Sequence, residues 1–229
     1  MNKIIDYLKK SNKKIHDNFI GEFFVMEKQV LIKDRVSKEI DVLKCFEYVL
    51  EKMPKFFYSN VEKFVIGDFD YLNDREIDAT FSKKIVFITN KQETEDELIS
   101  DIVHEIAHSF EEIQSLFLYS DKQIENEFLQ KRTALFKVLE TENLIPDFIS
   151  REDFYRIDFQ ESFDKMLYKF IGYKNLTFLS SEIFLSPYGA TSLREYFANA
   201  FEYFFIRDIF AVKKCCPSIY TKMINFLEF

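Results

Sequence analysis

Glycine and proline are scarce in this chain, with four of each among 229 residues, and tryptophan is absent. So few breakers exclude a collagen-like or Pro/Gly-rich disordered chain and favour helices joined by short, well-defined turns. Cysteine is rare too. Cys45, Cys215 and Cys216 make an odd set with two members adjacent, which is neither a disulfide framework nor a C-x-x-C metal site. Positive charge is in the minority. Lys and Arg number 31 against 39 Asp and Glu, a formal net charge of −8, and no basic block exceeds a short local pair, so no nucleic-acid partner is expected. No apolar run approaches the length of a membrane span, so no membrane partner is expected either. Residues 1–18 carry no apolar signal region or cleavage site. These absences predict a cytoplasmic protein, with export by a route that needs no signal peptide left open.

The chain is rich in apolar side chains: 47% of residues are hydrophobic and 28 are phenylalanine, enough for one sizeable globular domain. The spacing predicts an amphipathic helix over 2–18, a strand-like segment over 19–32 and a helix over 36–53 that Pro54 ends. The period then changes. Segments 61–68 and 84–89 read as strands, with a polar loop at 69–78 between them. Thr94-x-x-Glu97 is a capping box that starts a helix near residue 95, running to about 117. Helices follow over 121–141 and 192–210, short helices over 150–172, a turn-rich stretch over 176–190, and a last helix from Pro217. The fold class is α+β and mainly helical, with a small sheet beside the helix that begins near 95.

Histidine is the scarcest functional residue, with three in the chain. Two of them fall in His104-Glu105-Ile106-Ala107-His108, an HExxH motif inside the predicted 95–117 helix. Histidines four apart on a helix leave the same face, about 40° apart around the axis and one turn apart along it. That pair can hold one Zn²⁺, with Glu105 beside the metal where a water binds. A strand beside such a helix can hold an extended peptide by main-chain hydrogen bonds, and the 84–89 strand is expected to do so.

A catalytic zinc needs three protein ligands and an open position. No histidine follows His108, so the metzincin pattern is excluded and the third ligand must be Asp, Glu or Cys. Glu111 and Glu112 lie further along the same helix and are poor candidates. Glu195, near the start of the 192–210 helix, is the best one, with Asn199 one turn later as a partner for a ligand histidine. A competing reading is equally well founded. Ser192-Leu193-Arg194-Glu195 is itself an S-x-x-E capping box, in which Glu195 caps its own helix.

HEIAH, then Tyr188-x6-Glu195, then Tyr-Phe-Ala-x-Ala-Phe, resembles the anthrax lethal factor-like zinc peptidases, a gluzincin family that includes the clostridial Pro-Pro endopeptidases. The resemblance covers residues 80–115 and 185–206. It implies a zincin-like metallopeptidase fold spanning 1–229 as a single domain. Residues 1–60 would be an N-terminal portion, 61–118 the sheet and HExxH helix, 119–186 a helical insertion, and 187–229 the third-ligand helix and C-terminal helix. It implies His104, His108 and Glu195 as metal ligands, Glu105 as general base and Tyr188 as the oxyanion partner. The activity implied is zinc-dependent hydrolysis of peptide bonds in a protein or peptide substrate through a metal-activated water. The chain departs from the family in its longer 119–186 stretch and in Asn199, which stands where the family has an acidic residue. Two other readings are a catalytically inactive zincin-like binding protein and a metal-free helical interaction protein.

Overall fold

The structure, a computed structural model, describes residues 20–228. The helix expected over 2–18 lies outside the described residues. The architecture is α+β, with many helices and one five-stranded mixed sheet. The chain divides into two compact units, residues 1–113 and 114–229.

In the first unit, β1 (Gly21–Val25) and β2 (Lys28–Ile32) form a hairpin rather than one strand-like segment. The turn is Met26-Glu27, with φ of 47° and 69°. A two-residue hairpin turn needs this left-handed backbone, and sequences usually signal it with Asn-Gly or Asp-Gly. This one carries no such signal. Helix α1 (Val42–Lys52) starts later than its apolar spacing suggested, because the Asp41 side chain accepts the Lys44 N–H at 3.2 Å and caps it there. Strand β3 (Lys63–Gly67) falls where the β-branched run predicts. The expected loop at 69–78 contains helix α2 (Asp70–Arg75), and a further strand, β4 (Ala79–Ser82), follows it before β5 (Ile85–Thr89).

The sheet order is β1-β2-β3-β5-β4. Strands β2, β3 and β5 are parallel, while β1 and β4 run antiparallel to their neighbours. Successive residues Phe64, Val65 and Ile66 of β3 are all buried, as in a strand covered on both faces. The topology corrects one expectation. Strand β5 has β3 on one side and β4 on the other, so its main-chain groups are already paired. Among the described residues the edge strands are β1 and β4, and β4 is the one that pairs with β5.

Helix α3 (Glu95–Tyr119) follows β5 directly and carries HEIAH. Its capping box forms as predicted: the Glu97 N–H donates to Thr94 Oγ1 at 3.2 Å, and the Thr94 N–H donates to Glu97 Oε2 at 3.3 Å. Leu98, Ile102, Val103, Ile106 and Phe110 are fully buried. Each such side chain contributes about 1.5–3 kcal/mol by leaving water, which holds the motif helix in one rotation.

The second unit contains α4 (Gln123–Thr141), a 3-10 turn at Arg151–Tyr155, and α5 (Glu161–Lys165), which runs into a π-helical turn at Met166–Ile171. Helix α6 (Tyr173–Leu179) and a 3-10 turn at Tyr188–Ala190 precede α7 (Leu193–Ile206). The single helix expected over 192–210 is two. Asp208 accepts the Phe210 N–H at 2.9 Å and starts α8 (Ile209–Cys215), and α9 (Pro217–Glu228) begins at the predicted proline. Arg132 of α4 is fully buried and ties these segments together. Its guanidinium donates to the carbonyls of Ala190, Asp153 (2.9 Å), Arg156 (3.3 Å) and Phe154 (3.4 Å) and stacks 3.6 Å above the Phe163 ring. No helix among the described residues is long and apolar enough to cross a membrane.

Candidate metal centre

His104 and His108 lie one turn apart on α3, with ring centroids 4.8 Å apart and planes at 85°. The buried Ile106 and Ala107 between them turn the opposite face of the helix into the core and leave the histidines on a shared face. Asn60 Nδ2 donates to the Ser109 carbonyl at 3.0 Å, which pins the helix just past the motif.

His108 is buried, and its Nδ1 lies 3.7 Å from Glu111 Oε2, also buried. This places a carboxylate on the Nδ1 side of the ring, the side opposite Nε2. Glu111 was expected only as a poor ligand, and its nearness to the far nitrogen of His108 was not anticipated. The signal was available, since residues three apart on a helix are neighbours.

Glu105 is 5% exposed, and its Oε2 is buried with no hydrogen-bond partner among the described residues. A buried carboxylate oxygen left this way is costly unless a ligand or a water meets it. One turn before His104, burial pushes the Asp101 carboxyl up to about 7. The hydrogen bond from Gln92 Nε2 at 2.9 Å opposes the shift, and the charges of Asp78 and Glu105 add to it.

In the second unit, the segment that carries Tyr188 and Glu195 is held by local bonds. The Thr191 N–H and its hydroxyl both bond to the Tyr188 carbonyl, at 3.0 and 2.8 Å. Leu193 N–H donates to the Ile157 carbonyl at 2.8 Å. The Ser192 hydroxyl accepts the Glu195 N–H at 3.2 Å, so Ser192 is the N-cap of α7. That bond is the backbone half of an S-x-x-E cap. It fits both readings of Glu195, as part of its own helix cap and as a ligand, because a backbone N–H bond leaves the carboxylate uncommitted. Asn199 is buried and lies against the 188–190 turn; a Cβ on Gly189 would come within 3.1 Å of its Oδ1.

The 119–186 stretch contributes residues that sequence reading did not single out. Asp164 and Tyr173 share a hydrogen bond of 3.4 Å, and both feel the charge of Glu195. Burial raises the Asp164 carboxyl and the Tyr173 hydroxyl above their ordinary values, and Glu195 adds to both. Tyr173 in turn meets Tyr188 edge-on, ring centroids 6.5 Å apart. Tyr188 itself is 36% exposed. No sequence signal pointed to Asp164 or Tyr173, because their nearness to Glu195 comes from how α5 and α6 fold back.

His104, His108 and Glu195 each offer one ligand atom, and these atoms all lie within 4.8 Å of one another. Two imidazoles and one carboxylate are the donor set of hydrolytic zinc sites. The residues present thus fit a divalent metal, by donor chemistry and by the unpartnered Glu105 oxygen beside them. No protein-family model, no curated protein and no solved structure matches the chain.

Proposed function

We propose that the protein is a zinc-dependent endopeptidase of the gluzincin type with a zincin-like fold. The observation that carries the reading is the grouping of His104, His108 and Glu195, with Glu105 set between the two histidines. These three side chains would hold Zn²⁺, and Glu111 would keep the His108 ring turned with Nε2 toward it. Bound there, the ion would supply Lewis acidity, lowering the pKa of water and polarising a carbonyl oxygen.

The remaining work falls to the chain's own residues. Glu105 Oε2 accepts a proton from the attacking water and returns it to the leaving amine. The Tyr188 hydroxyl donates to the oxyanion that forms at the scissile carbonyl. The open edge of β4 pairs with the main chain of an extended protein or peptide substrate. Strand β4 pairs with β5 on one side and is an edge of the sheet among the described residues, so its other side is where an added strand would pair.

Metal content measured by mass spectrometry on protein purified without chelator tests the site. The expected result is about one zinc per chain in the wild type, sharply reduced in Glu195→Gln while the far-UV circular dichroism is unchanged. Zinc absent from the wild type, or retained in full by Glu195→Gln, would refute the ligand set. A peptide-library digest then separates enzyme from binding protein: zinc bound with no peptide cleaved would support the inactive zincin-like reading instead.

A further inference from the structure

The two adjacent cysteines at the end of α8 belong to a side-chain chain that the proposed hydrolysis does not use. Cys215 is partly exposed on the wall of a groove of about 610 Å³, which Lys131, Lys214, Gln130 and Glu182 also line. Lys131 Nζ lies 3.5 Å from Cys215 Sγ and donates to the Ile183 carbonyl at 2.6 Å. Cys216 is fully buried behind it, donates its S–H to the Cys215 sulfur and lies next to the Tyr196 hydroxyl. Tyr196 donates to Glu127 Oε1 at 2.7 Å, and Glu127 Oε2 accepts the Ser218 N–H at 2.8 Å. Cys215 is the sulfur that faces the groove.

We propose that Cys215 is a thiol-exchange site for a low-molecular-weight, zwitterionic, peptide-like disulfide, seated in the groove between Lys214 and Glu182 and attacked by a Cys215 thiolate paired with Lys131. Both signs of charge on the groove wall suit a ligand carrying ammonium and carboxylate groups together. The hydrogen bond from Cys216 and the charge of Lys131 lower the Cys215 thiol below its ordinary value, against burial and the Glu127 charge. As a neutral thiol, Cys215 donates to the Ile183 carbonyl at 3.4 Å; on ionising it gives up that bond and accepts from Lys131 and Cys216. Cys216 shifts the opposite way, raised by burial and by its neighbour, so it stays protonated and remains a donor.

In the exchange, the Cys215 thiolate gives its electron pair to one sulfur of the disulfide. A new S–S bond forms as the old one breaks, and the departing thiolate takes a proton from solvent. Cys215 is oxidised to a mixed disulfide, and the released half of the ligand is reduced. A thiol whose pKa lies near ambient pH is the fastest attacker in such a reaction.

The test is incubation with glutathione disulfide at pH 7, with adducts mapped by peptide mass spectrometry. Cys45 is the internal control, since burial pushes its thiol up to about 12. Cys215 is expected to react at least about tenfold faster than Cys45, and about tenfold slower once Lys131→Gln removes the paired charge. It is also expected to prefer glutathione disulfide over cystamine, which has no carboxylate. Equal rates at Cys215 and Cys45, no effect of Lys131→Gln in a folded variant, or no preference over cystamine would overturn the proposal. If Lys131→Gln fails to fold, the wild-type pH profile of iodoacetamide alkylation decides. A midpoint for Cys215 below about 8.5, the free-thiol value, supports the paired thiolate, and one at or above it refutes it.

Discussion

Replacing Arg132 by methionine keeps an unbranched apolar stem in the core of the second unit but removes the charge and all the donors. Four backbone carbonyls lose a partner. Those of Ala190 and Asp153 take the shortest bonds, and those of Arg156 and Phe154 the long ones at 3.3 and 3.4 Å. A buried acceptor left without its donor costs about 1–3 kcal/mol, so the two strong bonds alone imply about 2–6 kcal/mol. Relief of desolvation opposes this, since burial already holds the guanidinium down at about 9. A net loss of about 3–4 kcal/mol is expected, in line with breaking other buried charged networks from one side. For a chain of this size each kcal/mol moves the midpoint by about 2–4 °C, which gives a drop of roughly 6–16 °C. The assay is thermal unfolding followed by circular dichroism, in chelator so that bound metal does not add stability of its own. Because the Ala190 carbonyl is in the turn that begins with Tyr188, the same variant should bind zinc more weakly when chelator is omitted. A shift under about 2 °C would refute the reasoning, and would mean that water or backbone movement satisfies those carbonyls.

Glu105→Gln should lower kcat for any cleaved peptide by about 10²–10⁴-fold while zinc content stays at the wild-type value; loss of the metal would contradict its role as base. Gly189→Ala should lower the thermal midpoint by a few degrees, since the new Cβ meets Asn199 Oδ1 at 3.1 Å, and adding Asn199→Ala should recover part of the loss. Asp101 should leave a pH signature in the metal-free protein. Its folded value of about 7 lies above the ordinary 3.8, so its favourable contribution is complete below pH 4 and is lost as pH rises to 7. The midpoint of Asp101→Asn relative to wild type should therefore climb between pH 4 and 7 and level off above it; a flat difference would refute the shift.

Much of the candidate metal site was legible along the chain because its grammar is local. Helical spacing puts His104 and His108 on one face whatever surrounds them, and Thr94-x-x-Glu97 marks the start of their helix through bonds that span four residues. Pro54 and Pro217 bound their helices for the same reason: a proline acts on its own backbone. Features without a local signature were missed. The Met26-Glu27 turn takes positive φ in residues that do not advertise it. Strand β4 is only four residues long, too short for its alternation to stand out from the loop before it.

Other matters were outside the reach of any local rule. Ser-Leu-Arg-Glu at 192–195 encodes a cap and a ligand equally well, and only the folded chain groups the Glu195 carboxylate with His104 and His108. That β5 is interior and β4 an edge depends on β4 pairing to β5 across the Lys83-Lys84 turn. Asp164 and Tyr173 gain their influence on Glu195 through the fold-back of two short helices, and Cys215 gains its lysine from a residue 84 positions earlier. Periodicity and capping are set by neighbours within a turn or two of the chain, so sequence determined the HExxH helix and the shared face of its two histidines. The fates of Glu195, β4, Asp164 and Cys215 depend on groups far apart along the chain, and only tertiary packing brings those together.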